Sequence, residues 1–501
     1  MKLFLPLFAF VLVAFVAPRP DQTAPLLLQP SDMQHELRVL ESAFKQFHPG
    51  LYRFNSPQQI DSLFNRARIN AAAPMPERNY YLLLASLCEK IRCGHTYPNF
   101  WNQKDEFKAR NFSKTVLPVL FQQVEGKFII THNLSTQPVR AGDELLRING
   151  IAADSLRVKL LDLSRSDGRN APHKKLDNLG IYPFMTDTTE YALFDVYVPM
   201  LFPPLYNAAE YHCLIRTAKG KTRTVTLPAF SHAQRQAAYI ARFGQLATGE
   251  SAWYLKQINP QTAVLHIGDF VTWNWKRDYK LVLDSLFDVV NANGTQNLIV
   301  DIRGNEGGLD EARDALFACL IAAPFVKQPA QRLRTFLSVP DSMRTFFRTW
   351  NADLYKPQSA QDFTFTENRF YIPQKTALPD TIFPHKKRFA GQCYLITNAS
   401  NSSAAFTLAA MFKQAHCGLV VGEPTAGCLQ GINGGQFFMC HLPHSKIEID
   451  IPLIWNRPQA VMPDQGVQPD VYVRTTQKSI ASQHDAQLDA VLKLINKKQS
   501  R

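Results

Sequence analysis

The chain has 501 residues, of which 46% are hydrophobic and 19% charged, and this composition excludes an intrinsically disordered protein. A chain of this length is too long to fold around one ordinary hydrophobic core, so we expect about two to three domains. The formal net charge of +13 raises the question of nucleic acid. However, the basic residues are scattered, the longest cluster is only Lys386-Lys387-Arg388, and no nucleic-acid-binding motif is present, so we expect no nucleic-acid partner.

The first residues have the pattern of a secretory signal. Met1 to Ala17 contains one Lys followed by a nearly unbroken apolar run, which is too short for a comfortable membrane span. We therefore predict a signal peptide within residues 1–20 and export to the periplasm or cell envelope, or secretion. Ala17 is followed by Pro18, which makes a poor cleavage site. The signal segment could therefore stay uncleaved, and we expect membrane attachment only through such a segment.

The eight cysteines do not predict a metal site. Their spacing matches no zinc pattern, and most lie in apolar runs as small buried residues. We expect neither a metal nor a cofactor. Cys88 and Cys93 are close enough in sequence to form a disulfide, which export would permit, but no feature favours that pairing.

Residues 21–112 are predicted to form a helical domain. Apolar residues recur at helical spacing over Ser31–Phe47, after Ser56-Pro57, and over Pro76–Ile91. Ser31 is a candidate cap for the first of these helices. The domain ends in a turn at Cys93–Thr96.

Residues 113–230 are predicted to be rich in β-strands. Val116–Phe121 and Lys127–Thr131 alternate like strands around a Glu125-Gly126 turn. Ser155–Leu179 interrupts them with a predicted helix and a polar, basic loop. A hairpin closes this domain, with strands predicted at Tyr211–Thr217 and Thr222–Leu227.

Residues 231–478 alternate between strands and helices, which predicts a mostly parallel sheet covered by helices and an α/β multidomain fold overall. Pro329–Pro384 is predicted to be an irregular surface excursion, and residues 479–501 a last helix. The predicted strands are Ala263–Ile267, the apolar run Leu298–Val300 that ends in Asp301, Gln392–Thr397 and Gly418–Val421. The predicted helices are Lys280–Val290, Glu311–Leu320 and Ser403–Lys413, and a hairpin is predicted at Gln436–Leu442 and Lys446–Leu453.

The stretch Asn297–Gly308, NLIVDIRGNEGG, predicts a buried strand that enters a glycine-rich turn before a helix. Backbone N–H groups that point out of such a turn can hold an anion or a developing oxyanion. A plain strand-to-helix connection is the alternative. Asp301 and Arg303 are expected to pin the turn, and Glu306 and Glu423 to be structural.

The stretch Tyr394–Lys413, YLITNASNSSAAFTLAAMFK, places serines where a strand gives way to a helix. A serine there faces the free N–H groups of the helix N-terminus, which stabilise an alkoxide or oxyanion. The competing interpretation is helix capping, a role for which Ser and Asn are commonly chosen. From this stretch alone, capping is the more common use.

Four motifs in one order resemble those of the tail-specific (C-terminal processing) serine peptidase family, including its tricorn-core relatives. The resemblance implies a crotonase-like α/β protease core preceded by a helical bundle. It also implies a PDZ-like domain at residues 113–230, on the likeness of Arg140–Gly150, RAGDELLRING, to the family's PDZ-like insert. His48–Tyr52 and Gly94–Thr96 resemble the amino-terminal part of exported members. The four motifs are DIRGNEGG, NASNSSAAF, VGEPTAG at Val421–Gly427, and GVQPD at Gly466–Asp470.

The resemblance also implies roles for individual residues. Ser403 matches the nucleophile, although Ser402 is an alternative because the capping and nucleophile roles could be exchanged. The backbone N–H groups of Gly307, Gly308 and Ala404 match the oxyanion hole, an electrostatic role that needs no side chain.

The general base is less directly implied. Many processing peptidases use a lysine after the Thr-x-Gly turn, but Cys428 stands there, so a Ser/Lys dyad is not expected. The tricorn-like branch uses a histidine from the amino-terminal side, which His95 matches, and Asp464 is the nearest match to the late acidic residue. Thr96 is a candidate assistant. A satisfied core histidine and a turn-forming Asp464 are the alternatives.

The expected function is therefore that of an exported serine peptidase acting on peptides or proteins. An inactive family member that binds peptides or an apolar ligand is the alternative, because the lysine is missing and Phe406 stands where relatives often have an acidic residue. Ester hydrolysis is a minor third option. The aromatics of Phe270–Trp275 are expected either to line a substrate groove or to form an exposed loop.

Overall fold

The computed structural model describes residues 26–169, 172–328, 330–374 and 380–499. The predicted signal peptide, residues 1–20, lies outside these ranges, and so export remains a prediction. Within them, no helix is both long and apolar enough to cross a membrane. The described chain has a mixed α/β architecture with helices and several sheets, as predicted.

The amino-terminal part is helical, and its first helix packs with a fully buried apolar face that includes Leu37 and Phe44. The second helix begins at a capping box in which Ser56 and Gln59 bond reciprocally. Ser31 does not cap the first helix, because Pro30 already starts it and Gln29 is the N-cap. The helices are Pro30–Phe47, Pro57–Asn70, Glu77–Ile91 and Asp105–Asn111, with a small sheet of Leu27–Leu28 and Met75–Pro76.

The next part is an antiparallel sheet in which Glu125 and Gly126, both at positive φ, form the tight turn between the first two strands. Val116 lies outside the first strand and makes only an isolated bridge to Phe230. The strands are Val119–Val124, Lys127–Asn133, Glu144–Ile148, Ile151–Ala152, Glu210–Arg216 and Thr222–Pro228; the helices are Ala153–Leu161, Pro172–Asp177, Leu193–Leu201 and His232–Phe243.

A six-stranded sheet forms the centre of the remaining chain, and all of its neighbouring strands are parallel except the pair at one edge. Asn297–Asp301 lies inside this sheet and is buried along its whole length. In spatial order the strands are Val471–Tyr472, Gly418–Gly422, Gln392–Thr397, Asn297–Asp301, Thr262–Ile267 and Trp253–Asn259. The helices of this part are Tyr279–Ala292, Asp310–Ala318, Ser403–Gln414, Gln477–Ala481 and Ala486–Gln499.

This strand order positions the site. Asn297–Asp301 and Gln392–Thr397 are hydrogen-bonded neighbours that run in the same direction. Their carboxyl ends therefore meet at one edge of the sheet, where loops of parallel sheets commonly bind ligands. The glycine-rich turn and the serine-bearing turn leave the sheet side by side.

The prediction that Pro329–Pro384 is irregular was wrong in part. Ala330–Leu333 and Phe347–Arg348 are the two outer strands of a four-stranded antiparallel sheet around the hairpin Ile432–His441 and Glu448–Pro458. These strands are too short to show a periodic pattern and pair only with distant residues. Further short elements in this part are the strands Phe363–Thr366, Phe370–Pro373 and Thr381–Ile382 and the helix Asp341–Arg344; the short strand Phe325–Val326 lies just before it.

An aromatic cluster joins this sheet to the helical part. Phe438 stacks on Phe347 at 4.7 Å between ring centroids and meets Phe47, from the first helix, edge-on at 5.5 Å. Phe336 completes the contact at 5.0 Å from Phe47. The packing of these rings brings the turn at Cys93–Thr96, which follows the third helix, within reach of the hairpin.

Candidate active site

Three turns build the site: the histidine turn (Cys93–Thr96), the glycine turn (Ile302–Leu309) and the nucleophile turn (Asn398–Ser403). In the nucleophile turn, the Asn398 N–H donates to Asn401 Oδ1 at 2.8 Å, and the Asn401 amide donates to the Asn305 carbonyl at 3.1 Å. Ser403 starts the following helix with φ of 49°. A non-glycine residue in this left-handed region stores strain, which is typical of a serine presented at a sharp strand-to-helix turn.

The two adjacent serines have different environments. Ser402 Oγ donates to the Glu306 carbonyl at 2.8 Å. Ser402 is the N-cap of the helix but makes no side-chain capping bond. Among the described residues, the Ser403 hydroxyl has no hydrogen-bond partner, and Ser403 as a whole residue is half-buried. The geometry therefore separates a serine that is bound to the glycine turn from one whose hydroxyl is available.

The glycine turn lies directly against Ser403. A Cβ at Gly307 would stand 2.7 Å from the Ser403 Cβ and 2.9 Å from the Ala404 nitrogen. A Cβ at Gly308 would stand 2.2 Å from the Phe270 carbonyl carbon. Both glycines also have positive φ, 114° and 136°, so only glycine fits at either position.

The amides predicted for the oxyanion hole are not equally free. The Gly307 N–H donates to Asn305 Oδ1 at 2.8 Å. Within the described chain, the Gly308 N–H has no hydrogen-bond partner. The Ala404 N–H lies in the first turn of its helix, where amides lack intrahelical acceptors. Gly308 and Ala404 thus offer the available donors beside Ser403.

The histidine turn follows helix Glu77–Ile91, whose C-cap Arg92 is left-handed. The Gly94 N–H donates to Asp167 Oδ1 at 2.9 Å, which orients the turn. His95 packs against the hairpin: its Cε1 lies 3.8 Å from where a Cβ of Gly434 would stand, and its ring centroid is 5.6 Å from that of Phe437.

The surroundings of His95 favour its neutral form. Burial lowers the pKa of the imidazole, and the Arg165 charge lowers it further, against opposing effects of Asp167 and Glu306. The Nδ1 atom is buried without a hydrogen-bond partner. A neutral imidazole with an unoccupied ring nitrogen is in the state that a general base requires.

Arg165 connects the histidine turn to the glycine turn. Its Nη1 donates to the Gly94 carbonyl at 3.2 Å and its Nη2 to Glu306 Oε2 at 3.0 Å. The guanidinium also lies 4.0 Å from the centroid of the Tyr97 ring. Since Glu306 adjoins Gly307, which touches Ser403, the structure brings the turns of His95 and Ser403 together around the glycine turn.

Asp464 makes other contacts than those predicted. Its carboxylate accepts from the Arg169 N–H at 2.9 Å and from the Cys428 thiol at 3.3 Å. In the described ranges it makes no hydrogen bond to His95. The role of Asp464 therefore remains a prediction, and the carboxylates whose charge acts on His95 are Asp167 and Glu306.

Two other candidates have structural contacts. Burial raises the pKa of the Cys428 thiol to about 12, so it stays protonated at neutral pH, which disfavours it as a nucleophile. Thr96 Oγ1 is hydrogen-bonded to His48 Nε2 at 2.8 Å, within the core beneath the histidine turn. All eight cysteines are free, so Cys88 and Cys93 do not pair.

The prediction for Asp301 and Arg303 is confirmed. Arg303 Nη2 lies 2.6 Å from Asp301 Oδ2 and 2.7 Å from Asp485 Oδ2. Although burial opposes it, the Arg303 charge holds the pKa of Asp301 well below its usual range. This ion pair pins the start of the glycine turn to the carboxyl-terminal helices.

Sequence reasoning missed Arg165, Asp167 and Lys174. They belong to a bridging segment, residues 163–169 and 172–184, that joins the helices Ala153–Leu161 and Leu193–Leu201. Lys174 Nζ lies 2.6 Å from Glu306 Oε1 and 3.5 Å from the Ser400 carbonyl. The sequence showed only a polar, basic loop here, and its composition did not indicate which turns it contacts.

Comparison with known proteins identifies the central part of the chain. Residues 261–473 match the model of Peptidase family S41. This stretch is a peptidase S41 domain. Accordingly, the protein is a serine-type peptidase, a hydrolase of peptides or proteins. No curated protein sequence matches the chain.

Two solved structures share the fold at low identity, and a third is more distantly similar. Mature CPAF in complex with lactacystin is 16% identical, with a TM-score of 0.62 over 93% of this chain and 98% of that one. Mature CPAF alone is 15% identical, with a TM-score of 0.61 over 93% and 97%. The photosystem II D1 C-terminal processing protease is 13% identical, with a TM-score of 0.40 over 88% and 93%.

The S41 match covers only part of the site. It includes the glycine turn and the nucleophile turn, but it begins after His95 and the bridging segment. Within the described residues, no group of three or more His, Cys, Asp or Glu side chains could hold a metal ion.

Proposed function

We propose that this S41 peptidase cleaves peptide bonds through an acyl-enzyme on Ser403, with His95 as the general base and the Gly308 and Ala404 amides as the oxyanion hole. The observation that carries the proposal is the left-handed φ of Ser403 at the start of a helix, in contact with Gly307. Ser402 is bonded to the Glu306 carbonyl and is assigned a positioning role.

The proposed base is supported by its electrostatics and its neighbours. A serine hydroxyl is a weak nucleophile and needs a partner to take its proton. His95 is held neutral by burial, has a free Nδ1, and belongs to a turn that Arg165 ties to the glycine turn. The contact between base and nucleophile often tightens only when substrate binds.

The reaction then follows the general sequence of serine peptidases. His95 removes the Ser403 proton as Oγ attacks the scissile carbonyl, and the Gly308 and Ala404 amides stabilise the oxyanion. The imidazolium donates its proton to the leaving amine, which departs and leaves the acyl-enzyme. His95 then activates a water that hydrolyses this ester and regenerates Ser403.

The carboxylate that supports His95 has two candidates. Asp167 is buried, accepts from the Gly94 N–H, and is the first of the charges that raise the pKa of His95. Asp464 matches the family pattern but bonds to Cys428 and Arg169. We favour Asp167 as the orienting carboxylate, with Asp464 supporting the bridging segment.

Labelling with a fluorophosphonate tests the proposal. We expect the wild type and Ser402→Ala to be labelled, and Ser403→Ala and His95→Ala to lose labelling while remaining folded by circular dichroism. A wild type that is folded but resists labelling at every pH would favour the alternative of an inactive, peptide-binding member. A panel of peptides and esters identifies the bond that is cleaved, and turnover of esters alone would overturn peptide hydrolysis.

Export is proposed on the sequence alone. Met1–Ala17 has the pattern of a secretory signal. Expression of the full chain in a bacterium, followed by fractionation and determination of the amino-terminal residue, tests both export and cleavage. Full-length protein confined to the cytosol would contradict the proposal.

A further inference from the structure

Glu306 has contacts that a purely structural turn residue would not need. We propose that Glu306 is a positioning residue whose carboxylate, held between Arg165 and Lys174, clamps the histidine turn and the nucleophile turn against the oxyanion hole. This inference rests on the proposed function, because it assigns His95 and Ser403 to one reaction. We call these three side chains the ionic clamp.

The backbone of Glu306 already lies within the site. Its carbonyl accepts the Ser402 hydroxyl at 2.8 Å, and the next residue, Gly307, touches Ser403. On the other side, Asn305 holds the Gly307 N–H through its side chain. A displacement of Glu306 would therefore be transmitted to the nucleophile and to the adjoining amide of Gly308.

The side chain of Glu306 binds one cation through each carboxylate oxygen. Arg165 Nη2 is 3.0 Å from Oε2, and Lys174 Nζ is 2.6 Å from Oε1. Each cation also donates a hydrogen bond to one catalytic turn. Arg165 donates to the Gly94 carbonyl at 3.2 Å, and Lys174 donates to the Ser400 carbonyl at 3.5 Å. One carboxylate thereby links the turn that carries His95 to the turn that carries Ser403.

The burial of the two cations makes the clamp depend on its carboxylate. The Lys174 side chain is only 5% exposed and that of Arg165 is 22% exposed, whereas the Glu306 side chain between them is 37% exposed. A buried ammonium without a partner is costly, and two cations without the carboxylate between them repel. Removal of the Glu306 charge is therefore expected to separate the bridging segment from the catalytic turns.

The clamp also acts on the electrostatics of His95. The groups that face His95 are Asp167, Arg165 and Glu306, and the two carboxylates raise its pKa while the guanidinium lowers it. Burial opposes ionisation of Glu306 itself, but Lys174 and Arg165 lower the pKa of this carboxyl so that it remains charged. Variants that change charge should thus move the pH profile in opposite directions.

The test measures fluorophosphonate labelling and the pH dependence of kcat/KM on a peptide substrate. For Glu306→Gln we expect the labelling rate to fall about tenfold. We also expect the acid limb of the pH profile, the range in which activity is lost on acidification, to move to lower pH, because the pKa of His95 falls when a nearby negative charge is removed. For Arg165→Met we expect a lower rate with the acid limb displaced to higher pH, because His95 loses a positive charge. For Lys174→Met we expect a lower rate. A role in folding alone would not produce these opposite displacements.

Conservative variants separate geometry from charge. Arg165→Lys keeps the charge but cannot reach both Gly94 and Glu306, so we expect a lower rate with an unmoved acid limb. Glu306→Asp keeps the charge on a shorter side chain, and we expect it to restore the pH profile and part of the rate. These variants provide the test if Glu306→Gln does not fold.

The matched control is Lys175→Met. Lys175 lies beside Lys174 in the same short helix, but it pairs with Glu89, in the helix before the histidine turn, and with the Leu161 carbonyl, and not with Glu306. We expect it to label at the wild-type rate per folded molecule. If the wild type is labelled and Glu306→Gln matches it in rate and pH profile, the clamp is overturned. A wild type that is not labelled would instead refute the proposed function.

Discussion

Gly307 and Ser403 are in direct contact: a Cβ at Gly307 would lie 2.7 Å from the Cβ of Ser403. The same added carbon would lie 2.9 Å from the Ala404 nitrogen, one of the proposed oxyanion donors. Because Gly307 has no side chain, the nucleophile Ser403 and the Ala404 amide can both lie close to the glycine turn. The N–H of Gly307 itself is bound by Asn305, so its contribution is the space it leaves.

Gly307→Ala is expected to reduce the labelling rate by about 100-fold, since displacing an oxyanion donor costs on the order of that factor. The matched control is Gly220→Ala, which also has positive φ, 86°, but open space around the added carbon. It is expected to lose about 1 kcal/mol of stability and to keep normal labelling. Equal labelling of Gly307→Ala and wild type would exclude this contact from the site.

Asp167→Asn tests which carboxylate supports His95. Burial places the pKa of His95 below its ordinary value, so the neutral base is present at pH 7 and activity is lost as the pH falls through that lowered pKa. Removing the Asp167 charge lowers this pKa further, so we expect the acid limb of kcat/KM to move to lower pH and kcat to fall.

Asp464→Asn is the comparison for that measurement. Asp464 bonds to Cys428 and Arg169, and no hydrogen bond in the described chain joins it to His95. We expect this variant to leave the acid limb in place. If instead Asp464→Asn displaces the limb and Asp167→Asn does not, then Asp464 is the orienting carboxylate that the family resemblance predicts.

Trp350 is expected to contribute to substrate binding. Its side chain is 65% exposed and lies 5.5 Å from the ring of Phe437, which in turn contacts His95. An exposed tryptophan packed on a half-buried phenylalanine beside the base suits an apolar side chain of the peptide. Trp350→Ala should raise KM for peptides with apolar residues near the scissile bond and leave kcat nearly unchanged.

Phe383→Ala is the control for Trp350→Ala, because Phe383 is similarly exposed, 67%, and directly follows a different short strand, Thr381–Ile382. It should not change KM. Steady-state kinetics on a series of peptides that differ only in that side chain provides the measurement. A KM for Trp350→Ala that is unchanged for every peptide in the series would rule out this subsite.

Arg303→Met is expected to destabilise the protein by about 3 kcal/mol, because it leaves the buried Asp301 without its cation. Arg303 holds the Asp301 pKa low, so this stabilisation is fully present above the ordinary pKa of an aspartate, about 4, and declines progressively as the pH falls from there towards the lowered pKa of the folded state. Chemical denaturation at pH 7 and at pH 3 measures the difference. A deficit of equal size at both pH values would contradict the ionic origin of the effect.

Some of the site follows from local sequence. The apolar run that ends at Asp301 and the paired glycines after it predict a buried strand and a tight turn, because burial on both faces and positive φ restrict residue choice locally. The polar residues before Ser403 likewise predict a helix start. The strand was found at Asn297–Asp301, around the predicted apolar run Leu298–Val300, and the helix at Ser403–Gln414, which begins at the predicted residue.

The short strands between Ala330 and Phe370 show the limit of such reasoning. Ala330–Leu333 pairs with Glu448–Pro458, and Phe347–Arg348 pairs with Ile432–His441, both of them distant in sequence. Strands of two to four residues carry too little periodicity to be recognised locally. Their partners decide whether they form.

By itself, the sequence determined the central strand, the glycine turn and the serine at the helix start, because backbone conformation and burial select residues over short distances. Only the tertiary structure decided which charges surround them. Arg165 and Lys174 meet Glu306 across 141 and 132 residues of chain, and nothing in their own loop indicates that partner. An ion pair has no periodic pattern in the sequence, so its members are known only after the fold has brought them together.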